Sequence, residues 1–205
     1  MRSTGAIVLL VIVLLVAFAG CYGCSTQRSL VQKDEAVNQA WANVESAYQR
    51  RADLIPNLVS TVQGAADFER STLDAVVEAR ARATSVTVDA DDPASVERFA
   101  EAQRALSGAL SRLLVVSENY PQLRATEAFR DLQVQLEGTE NRINTERTRY
   151  NETVRDYNQE VRTFPTSLFA GVLGFERRTP FEADPGAERA PDVNFDFDND
   201  AEGAQ

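Results

Sequence analysis

A stripe of large apolar residues between positions 37 and 62 constrains the fold of this chain more than any other feature. Its members recur at steps of three and four, with one step of seven, which places them on one face of an α-helix: Val37, Trp41, Val44, Tyr48, Ile55, Leu58 and Val62. Arg51 occupies the gap of seven. Because an unpaired buried charge costs several kcal/mol, a facing helix has to supply an acidic partner for Arg51.

A second stripe identifies that facing helix. Its members follow one another at intervals of seven, the heptad spacing of packed helices: Phe129, Leu136, Ile143, Tyr150 and Tyr157. At 1.5 Å per residue, a first helix over residues 27–64 spans about 55 Å and a fourth helix over residues 121–162 about 60 Å. The two long helices therefore match as an antiparallel pair.

This antiparallel pairing gives Arg51 its acidic partner. It brings Arg51 level with Glu137 and Glu140, and it brings Trp41 near Tyr150. We therefore predict a structural ion pair between Arg51 and one of the two glutamates. The alternative is that Arg51 and the neighbouring Arg50 form an exposed basic pair, which would contribute little to stability.

Two shorter helices are predicted between the long ones. A turn near Gly64 precedes a helix that starts at Ser71, and Asp92 followed by Pro93 is typical of the start of the next helix. Tyr120-Pro121 ends it, because the residue before proline disfavours the α region. The sequence thus predicts an all-α fold: an elongated antiparallel up-down four-helix bundle over residues 27–175, with long first and fourth helices, preceded by one transmembrane helix.

The transmembrane prediction comes from residues 5–20, which are uncharged and almost wholly apolar. If the run continues through Cys24, it has about the 20 residues that cross a bilayer. Residues 1–26 are thus expected to be a transmembrane anchor. The alternative is a lipoprotein-type signal, since Phe18-Ala19-Gly20-Cys21 resembles a lipobox and makes Cys21 a candidate for lipidation. Flanking charges are balanced and do not decide the orientation. Lipidation of Cys21 would place the bundle outside the cytoplasmic membrane, and we therefore expect it on the extracytoplasmic side of a bacterial cell membrane.

Residues 163–175 form a second apolar segment, broken by one proline and two glycines. The descending fourth helix delivers this segment to the level of the anchor. Its large apolar side chains are therefore expected at the membrane interface: Phe164, Leu168, Phe169, Val172, Leu173 and Phe175. The alternative is that they wrap the open end of the bundle core.

The C-terminal residues 176–205 have nine acidic and three basic side chains, together with proline and glycine, and are predicted to be a disordered acidic tail. The formal net charge of the whole chain is -10. Such a charge would repel a phosphate backbone, so nucleic acid is not expected as a partner.

The residue types of common catalytic sites are missing from the sequence. The chain has no histidine, which removes the usual general base, the Ser-His and Cys-His pairs and the Glu-x-x-His iron ligands of four-helix bundles. It also has no glycine-rich phosphate-binding loop. We therefore expect no catalytic residue, no metal or other cofactor and no small-molecule substrate, and so no enzyme.

Five segments resemble the LemA family of bacterial membrane proteins, in the family's order. They are YQRRADLIPNLV at 48–59, Glu78–Arg80, YPQLRA at 120–125, Thr139–Arg142 and YNETVRDYN at 150–158. The resemblance implies an N-terminal membrane segment followed by a helical bundle, without an established biochemical activity. Since LemA-like proteins are often encoded beside membrane proteases and small membrane proteins, it also implies partners among membrane or envelope proteins.

Two functions fit these predictions. The first is a single-pass, membrane-anchored interaction or scaffold module of the bacterial envelope. The second is a membrane-stress sensor or membrane-structural protein that uses residues 164–175 at its base. The location of the exposed apolar surface distinguishes them, since the first function requires it at the distal end and tail and the second requires it at the base.

Overall fold

The computed structural model describes residues 2–64, 68–90 and 92–182, and within residues 2–21 it describes only some of the side chains. Every regular element in this part of the chain is a helix. The helices are α1 (Arg2–Gln63), α2 (Arg70–Ser85), α3 (Pro93–Ser117), α4 (Pro121–Ala125), α5 (Glu127–Arg162) and α6 (Thr166–Leu173). Asp92 caps α3, because its side chain accepts a hydrogen bond of 3.0 Å from the backbone N–H of Ala94.

The long helices α1 and α5 pack against each other and run antiparallel. Contacts between them advance in opposite directions along the two helices: Lys33 with Glu160, Trp41 with Tyr150 and Arg51 with Glu140. The heptad stripe of α5 faces the stripe of α1, and Phe129, Ile143, Tyr150 and Tyr157 are almost fully buried. Apolar burial along this seam is the main stabilising contribution to the pair.

Helices α2 and α3 pack on each other and cover the pair. The core consists of two apolar clusters. The distal cluster contains Ile55, Leu58, Leu106 and Leu113. The basal cluster is aromatic and contains Trp41, Tyr48, Phe99, Tyr150 and Tyr157. Arg51 lies between the two clusters, one turn after Tyr48 and one turn before Ile55.

Helix α1 corrects the predicted N-terminal organisation. The apolar run does not form a helix of its own, because α1 is one continuous helix of 62 residues that passes both the expected boundary at residue 26 and Pro56. Among the residues described, no helix combines the length and the apolarity that crossing a bilayer requires. The predicted transmembrane helix preceding the bundle is therefore wrong.

The predicted fourth helix is divided into α4 and α5. Thr126 has extended backbone angles, φ -70° and ψ 137°, which interrupt the helix after Ala125. Its hydroxyl accepts a hydrogen bond from the backbone N–H of Phe129 and donates one to the carbonyl of Leu123. Thr126 thus caps the start of α5 while it fixes the end of α4.

The chain continues past α6 as a non-helical segment that packs along α5. Gly174 ends α6 with φ 78°, a left-handed conformation that favours glycine. Residues 175–182, which we call the strap, then return along the bundle. The strap therefore extends the packed part of the chain beyond the predicted boundary at residue 175. Residues 183–205 lie outside the described part, so the disorder predicted for them stays a prediction.

Candidate functional site

Two asparagines on α5 hold the backbone of the strap. The side-chain amide of Asn158 donates to the carbonyl of Arg178 at 2.8 Å, and its oxygen accepts from the N–H of the same residue at 2.9 Å. Asn151 pairs with Phe181 in the same way, at 2.9 and 2.8 Å. Because each asparagine binds both backbone groups of one residue, the pair recognises an extended chain and not a particular side chain. We call Asn158 and Asn151 the asparagine ladder.

Two tyrosines beside the ladder hold the carbonyls between its positions. Tyr157 donates its hydroxyl proton to the carbonyl of Glu176 at 2.8 Å, and Tyr150 donates to the carbonyl of Thr179 at 3.0 Å. Burial raises the pKa of Tyr150 to about 12. The pKa of Tyr157 also rises to about 12, first through burial and then through the negative charges of Asp34 and Glu176. Both phenols therefore stay neutral donors near neutral pH.

Phe181 anchors the strap in the basal cluster. Its ring stacks on Trp41 at a centroid distance of 5.4 Å and an angle of 14°, and meets Tyr150 edge-on at 5.4 Å. The guanidinium of Arg147 lies 5.1 Å from the centre of the Phe181 ring. Together these contacts leave Phe181 buried and contribute several kcal/mol through burial and cation–π attraction.

An ion pair fixes the strap to α1 as well. The guanidinium of Arg178 donates to the carboxylate of Asp34 at 2.8 Å, and both side chains are mostly shielded from water. The strap is thus held by backbone hydrogen bonds from α5, an aromatic anchor and a charge on α1.

A groove of about 840 Å³ lies beside the strap, between α1, α3 and α5. Strap residues Phe181 and Glu182 form one wall, and Arg51, Gln103 and Ser107 contribute to the lining. Basic and acidic side chains both reach it, among them Arg104, Arg147, Glu97 and Glu140. The groove thus has no single sign of charge.

Arg51 is the buried cation of this groove. One terminal nitrogen donates to the Ser107 hydroxyl and to the Glu140 carboxylate, each at 2.8 Å, and the other donates to the Gln103 side-chain oxygen at 2.7 Å. The Nε atom is buried and has no partner among the residues described. Of the two glutamates named from the sequence, Glu140 contacts Arg51. No contact between Arg51 and Glu137 occurs in the described part of the chain.

Most of the side chains predicted to lie at a membrane interface are on the solvent-exposed face of α6 or just before its first residue. Phe164, Leu168 and Val172 are 75%, 63% and 87% exposed, and Leu173 is also exposed. Phe169 instead packs against Tyr22 of α1, with ring centroids 5.8 Å apart. Phe175 is partly buried against the basal cluster. The membrane contact predicted for these six residues stays a prediction, and two of them, Phe169 and Phe175, pack against the bundle.

The start of α1 carries a second group of exposed apolar side chains. Its described large apolar side chains there are all solvent-exposed: Leu9, Leu10, Val11, Val13 and Leu14. We call these five residues, together with Phe164, Leu168, Val172 and Leu173, the apolar base. The Cys21 side chain, the candidate for lipidation, lies outside the described side chains. No cluster of three metal-ligating side chains occurs among the described residues.

Comparison with known sequences assigns the family. A profile of the LemA family matches residues 40–195, which is most of the chain. The chain belongs to the LemA family. The LemA family is not known as a family of enzymes. The profile match includes the strap, both positions of the asparagine ladder, and Arg51.

Curated relatives are distant in sequence. Magnetosome protein MamQ 1 of Paramagnetospirillum magneticum is 24% identical over 179 residues, which cover 78% of this LemA-family chain and 66% of that protein. Protein LemA of Metamycoplasma hominis is 22% identical over 157 residues, covering 77% of this chain and 69% of that protein. The chain thus spans just under two thirds of the MamQ protein.

The segment YNETVRDYN at 150–158 explains part of the LemA resemblance physically. It contains Tyr150-Asn151 and Tyr157-Asn158, the same dipeptide one heptad apart. Each tyrosine is buried in the seam, and the asparagine that follows it is turned toward the strap. Sequence reasoning used the tyrosines for the seam and missed the asparagines. The asparagines could have been identified from the sequence, because each follows a core tyrosine and the two Tyr-Asn dipeptides are seven residues apart.

Proposed function

We propose that this LemA-family protein is a non-enzymatic interaction module of the bacterial envelope that rests on the lipid surface through its apolar base. The observation that carries the proposal is the concentration of exposed large apolar side chains in the base. Away from the base, exposed large apolar residues such as Val77, Val115 and Val134 occur singly. Exposed apolar side chains grouped in this way on α6 and at the start of α1 indicate a contact surface, whereas scattered single residues do not.

The form of the base supports contact with a lipid interface. Leu168 and Val172 lie one helical turn apart on the outer face of α6, while Thr166 and Ala170 are buried on its inner face. An apolar face of this kind, seated on a rigid bundle, can lie in the plane of the headgroups. The proposal needs contact with the interface only.

The surface outside the apolar base is available for contact with partner proteins. Residues 183–205 contain seven acidic side chains and one basic side chain. A segment of this charge favours a basic partner surface through electrostatic complementarity. The relatives' names also support a module and not a catalyst, since one set is named for the magnetosome and none of the names denotes a reaction.

A second candidate function is a sensor of the membrane state, and the path of the chain favours it. Helix α6 carries exposed apolar residues of the base and continues through Gly174 directly into the strap. The strap in turn stacks Phe181 on Trp41. A shift of α6 at the lipid surface would therefore pull on the strap and its aromatic anchor.

Vesicle flotation of the full-length chain tests lipid contact. Replacing Leu168 and Val172 by glutamate places two charges on the outer face of α6, where both side chains are exposed, and circular dichroism of the variant should match that of the wild type. We expect the apparent affinity for vesicles to drop about tenfold. The start of α1 should account for the binding that remains. The matched control replaces the exposed Val77 and Val134 by glutamate and should bind like the wild type. Equal binding by both double variants would refute the proposal.

The same vesicles distinguish the sensor from the plain module. Trp41 is the only tryptophan, so its emission reports the position of the strap. The sensor function predicts that vesicle binding changes the Trp41 emission in the wild type. Binding without any change in emission would retire the sensor and leave the interaction module.

A further inference from the structure

The surface beneath the strap binds a peptide backbone. Seven hydrogen bonds run from side chains of α5 to the backbone of the strap, two from each asparagine of the ladder and one each from Tyr157, Tyr150 and Arg147. Because all residues other than proline offer the same backbone N–H and C=O groups, these contacts fix the path of a bound segment without selecting its sequence. We call the ladder and these three side chains, together with Asp34 and Trp41 of α1, the strap-binding surface.

Two strap side chains supply the sequence selectivity of this surface. The ring of Phe181 is 6% exposed and stacks on Trp41, and the guanidinium of Arg178 contacts Asp34 at 2.8 Å. Four of the other strap side chains are exposed to solvent: Glu176, Arg177, Pro180 and Glu182. The strap-binding surface therefore selects a phenylalanine with an arginine three positions before it, and it tolerates exchange at the positions that face solvent.

The strap is attached to α6 through a residue with an open surrounding. Gly174 joins the two with φ 78°, and a Cβ atom added there would meet no atom within 4 Å. Since glycine adopts other backbone conformations at little steric cost, the strap can leave the bundle by a change at this residue. Its departure exposes the rings of Trp41 and Tyr150 to water. The vacant surface therefore favours a second segment with the same backbone and aromatic contacts.

We propose that the strap-binding surface is a peptide-binding site for a partner protein and that the strap is its intramolecular competitor. The ligand is an extended segment of the partner with the pattern Arg-x-x-Phe. Its backbone lies antiparallel to α5 on the asparagine ladder, its aromatic ring stacks on Trp41 and its guanidinium binds Asp34. This site rests on the proposed function, because it is the place where the interaction module receives a partner protein.

The tether gives the strap an advantage over a separate segment. Linked through α6, the strap is present at its binding surface at an effective concentration of about millimolar. A free peptide of the same sequence therefore competes poorly in the wild type. Phe181→Ala removes the aromatic anchor of the strap and leaves the site open, which raises the apparent affinity for a free peptide.

A fluorescently labelled peptide with the sequence of residues 175–182 tests the site on the full-length chain, without lipid. Fluorescence anisotropy should show at least about tenfold tighter binding to Phe181→Ala than to the wild type. The control peptide carries alanine in place of its second phenylalanine and should bind about a hundredfold more weakly. Equal affinity of the first peptide for the two proteins overturns the inference, because the peptide then binds outside the strap-binding surface.

Tryptophan emission locates the bound peptide. The unlabelled peptide contains no tryptophan, so the signal comes from Trp41 alone. Binding of the peptide to Phe181→Ala should return the emission of the variant from longer wavelength to that of the wild type. Binding that leaves the emission of the variant unchanged overturns the inference.

Methylation of the peptide backbone tests the ladder independently of the aromatic anchor. N-methylation at the residues that correspond to Arg178 and Phe181 removes the N–H groups that the ladder accepts, and we expect at least about tenfold weaker binding to Phe181→Ala. The matched control is methylated at the residues that correspond to Arg177 and Glu182, whose N–H groups the ladder does not bind. Equal losses for the two methylated peptides contradict recognition by the ladder.

Light scattering distinguishes a partner's segment from the strap of a second copy. We expect the wild type and Phe181→Ala to have the same mass. A wild-type dimer that dissociates in Phe181→Ala would show that straps are exchanged between copies, and it would overturn the assignment to a partner protein. Since no lipid is present, failure of the peptide to bind leaves the vesicle experiment and the role of the apolar base unaffected.

Discussion

Arg51 and Glu140 lie 2.8 Å apart, yet only the arginine is withdrawn from water: its side chain is 2% exposed and that of the glutamate 48%. Arg51 lies between the two apolar clusters of the core, and it is the one buried charged side chain of α1 among the residues described. The glutamate keeps much of its hydration, so it contributes charge without the full cost of burial. The ion pair with Glu140 thus stabilises a buried arginine at the position between the two apolar clusters.

This asymmetry predicts that a half-exposed glutamate is important for stability. Glu140→Ala leaves Arg51 as a buried cation without a counter-charge. We expect it to lower the free energy of unfolding by about 2–3 kcal/mol, somewhat below the value for pairs buried on both sides. Chemical denaturation followed by circular dichroism measures the loss. Glu137→Ala, one turn away and exposed, is the control and should cost less than about 0.5 kcal/mol. Equal costs for the two variants would contradict the assignment.

Periodic features of the sequence were enough to predict the long antiparallel pair. Seam residues such as Trp41 and Tyr150 repeat at helical spacing, and this repeat fixes both the face and the register of α1 against α5. The break at Thr126 was not predictable in the same way, because it depends on hydroxyl hydrogen bonds and lies outside the heptad stripe. The composition of the strap was misleading. Its polar and charged residues predicted a disordered tail, whereas Phe181 stacks on Trp41 in the core.

The aromatic anchor of the strap predicts a spectroscopic change. Phe181→Ala removes the ring stacked on Trp41, and the strap should detach while the helices stay folded. Water then reaches Trp41, so we expect its emission to move to longer wavelength with little change in helix content. Phe164→Ala, which removes an exposed ring of the base, is the control and should leave the emission unchanged. A red shift of equal size in the control would contradict the prediction.

Thr126 should contribute to stability through its cap. Thr126→Ala removes the acceptor for the Phe129 N–H and the donor to the Leu123 carbonyl. We expect a loss of about 1 kcal/mol in the free energy of unfolding, the usual value for an N-cap threonine. Thr145→Ala provides a control within α5, since Thr145 is exposed and bonds only the carbonyl one turn before it. A loss no larger than that of the control would show that the cap is not formed in solution.

The raised pKa of Tyr150 predicts a loss of stability in alkali. The folded chain holds the phenol proton up to about pH 12, whereas the unfolded chain releases it near pH 10, so the folded state binds more protons between these values. The contribution of the neutral Tyr150 phenol to stability is therefore fully present below pH 10 and is lost as the pH rises toward 12. Two pH units of pKa difference correspond to about 2–3 kcal/mol.

Replacing the phenol tests this pH dependence. Tyr150→Phe loses the hydrogen bond to the Thr179 carbonyl, at a cost of about 1 kcal/mol near neutral pH. Above pH 10 it should lose less further stability than the wild type, because the buried ring no longer ionises. Tyr157, whose pKa is also raised to about 12, loses stability in the same pH range in both proteins, so the difference between the wild type and Tyr150→Phe isolates the phenol of Tyr150. Denaturation midpoints that fall in parallel for wild type and variant between pH 10 and 12 would contradict the prediction.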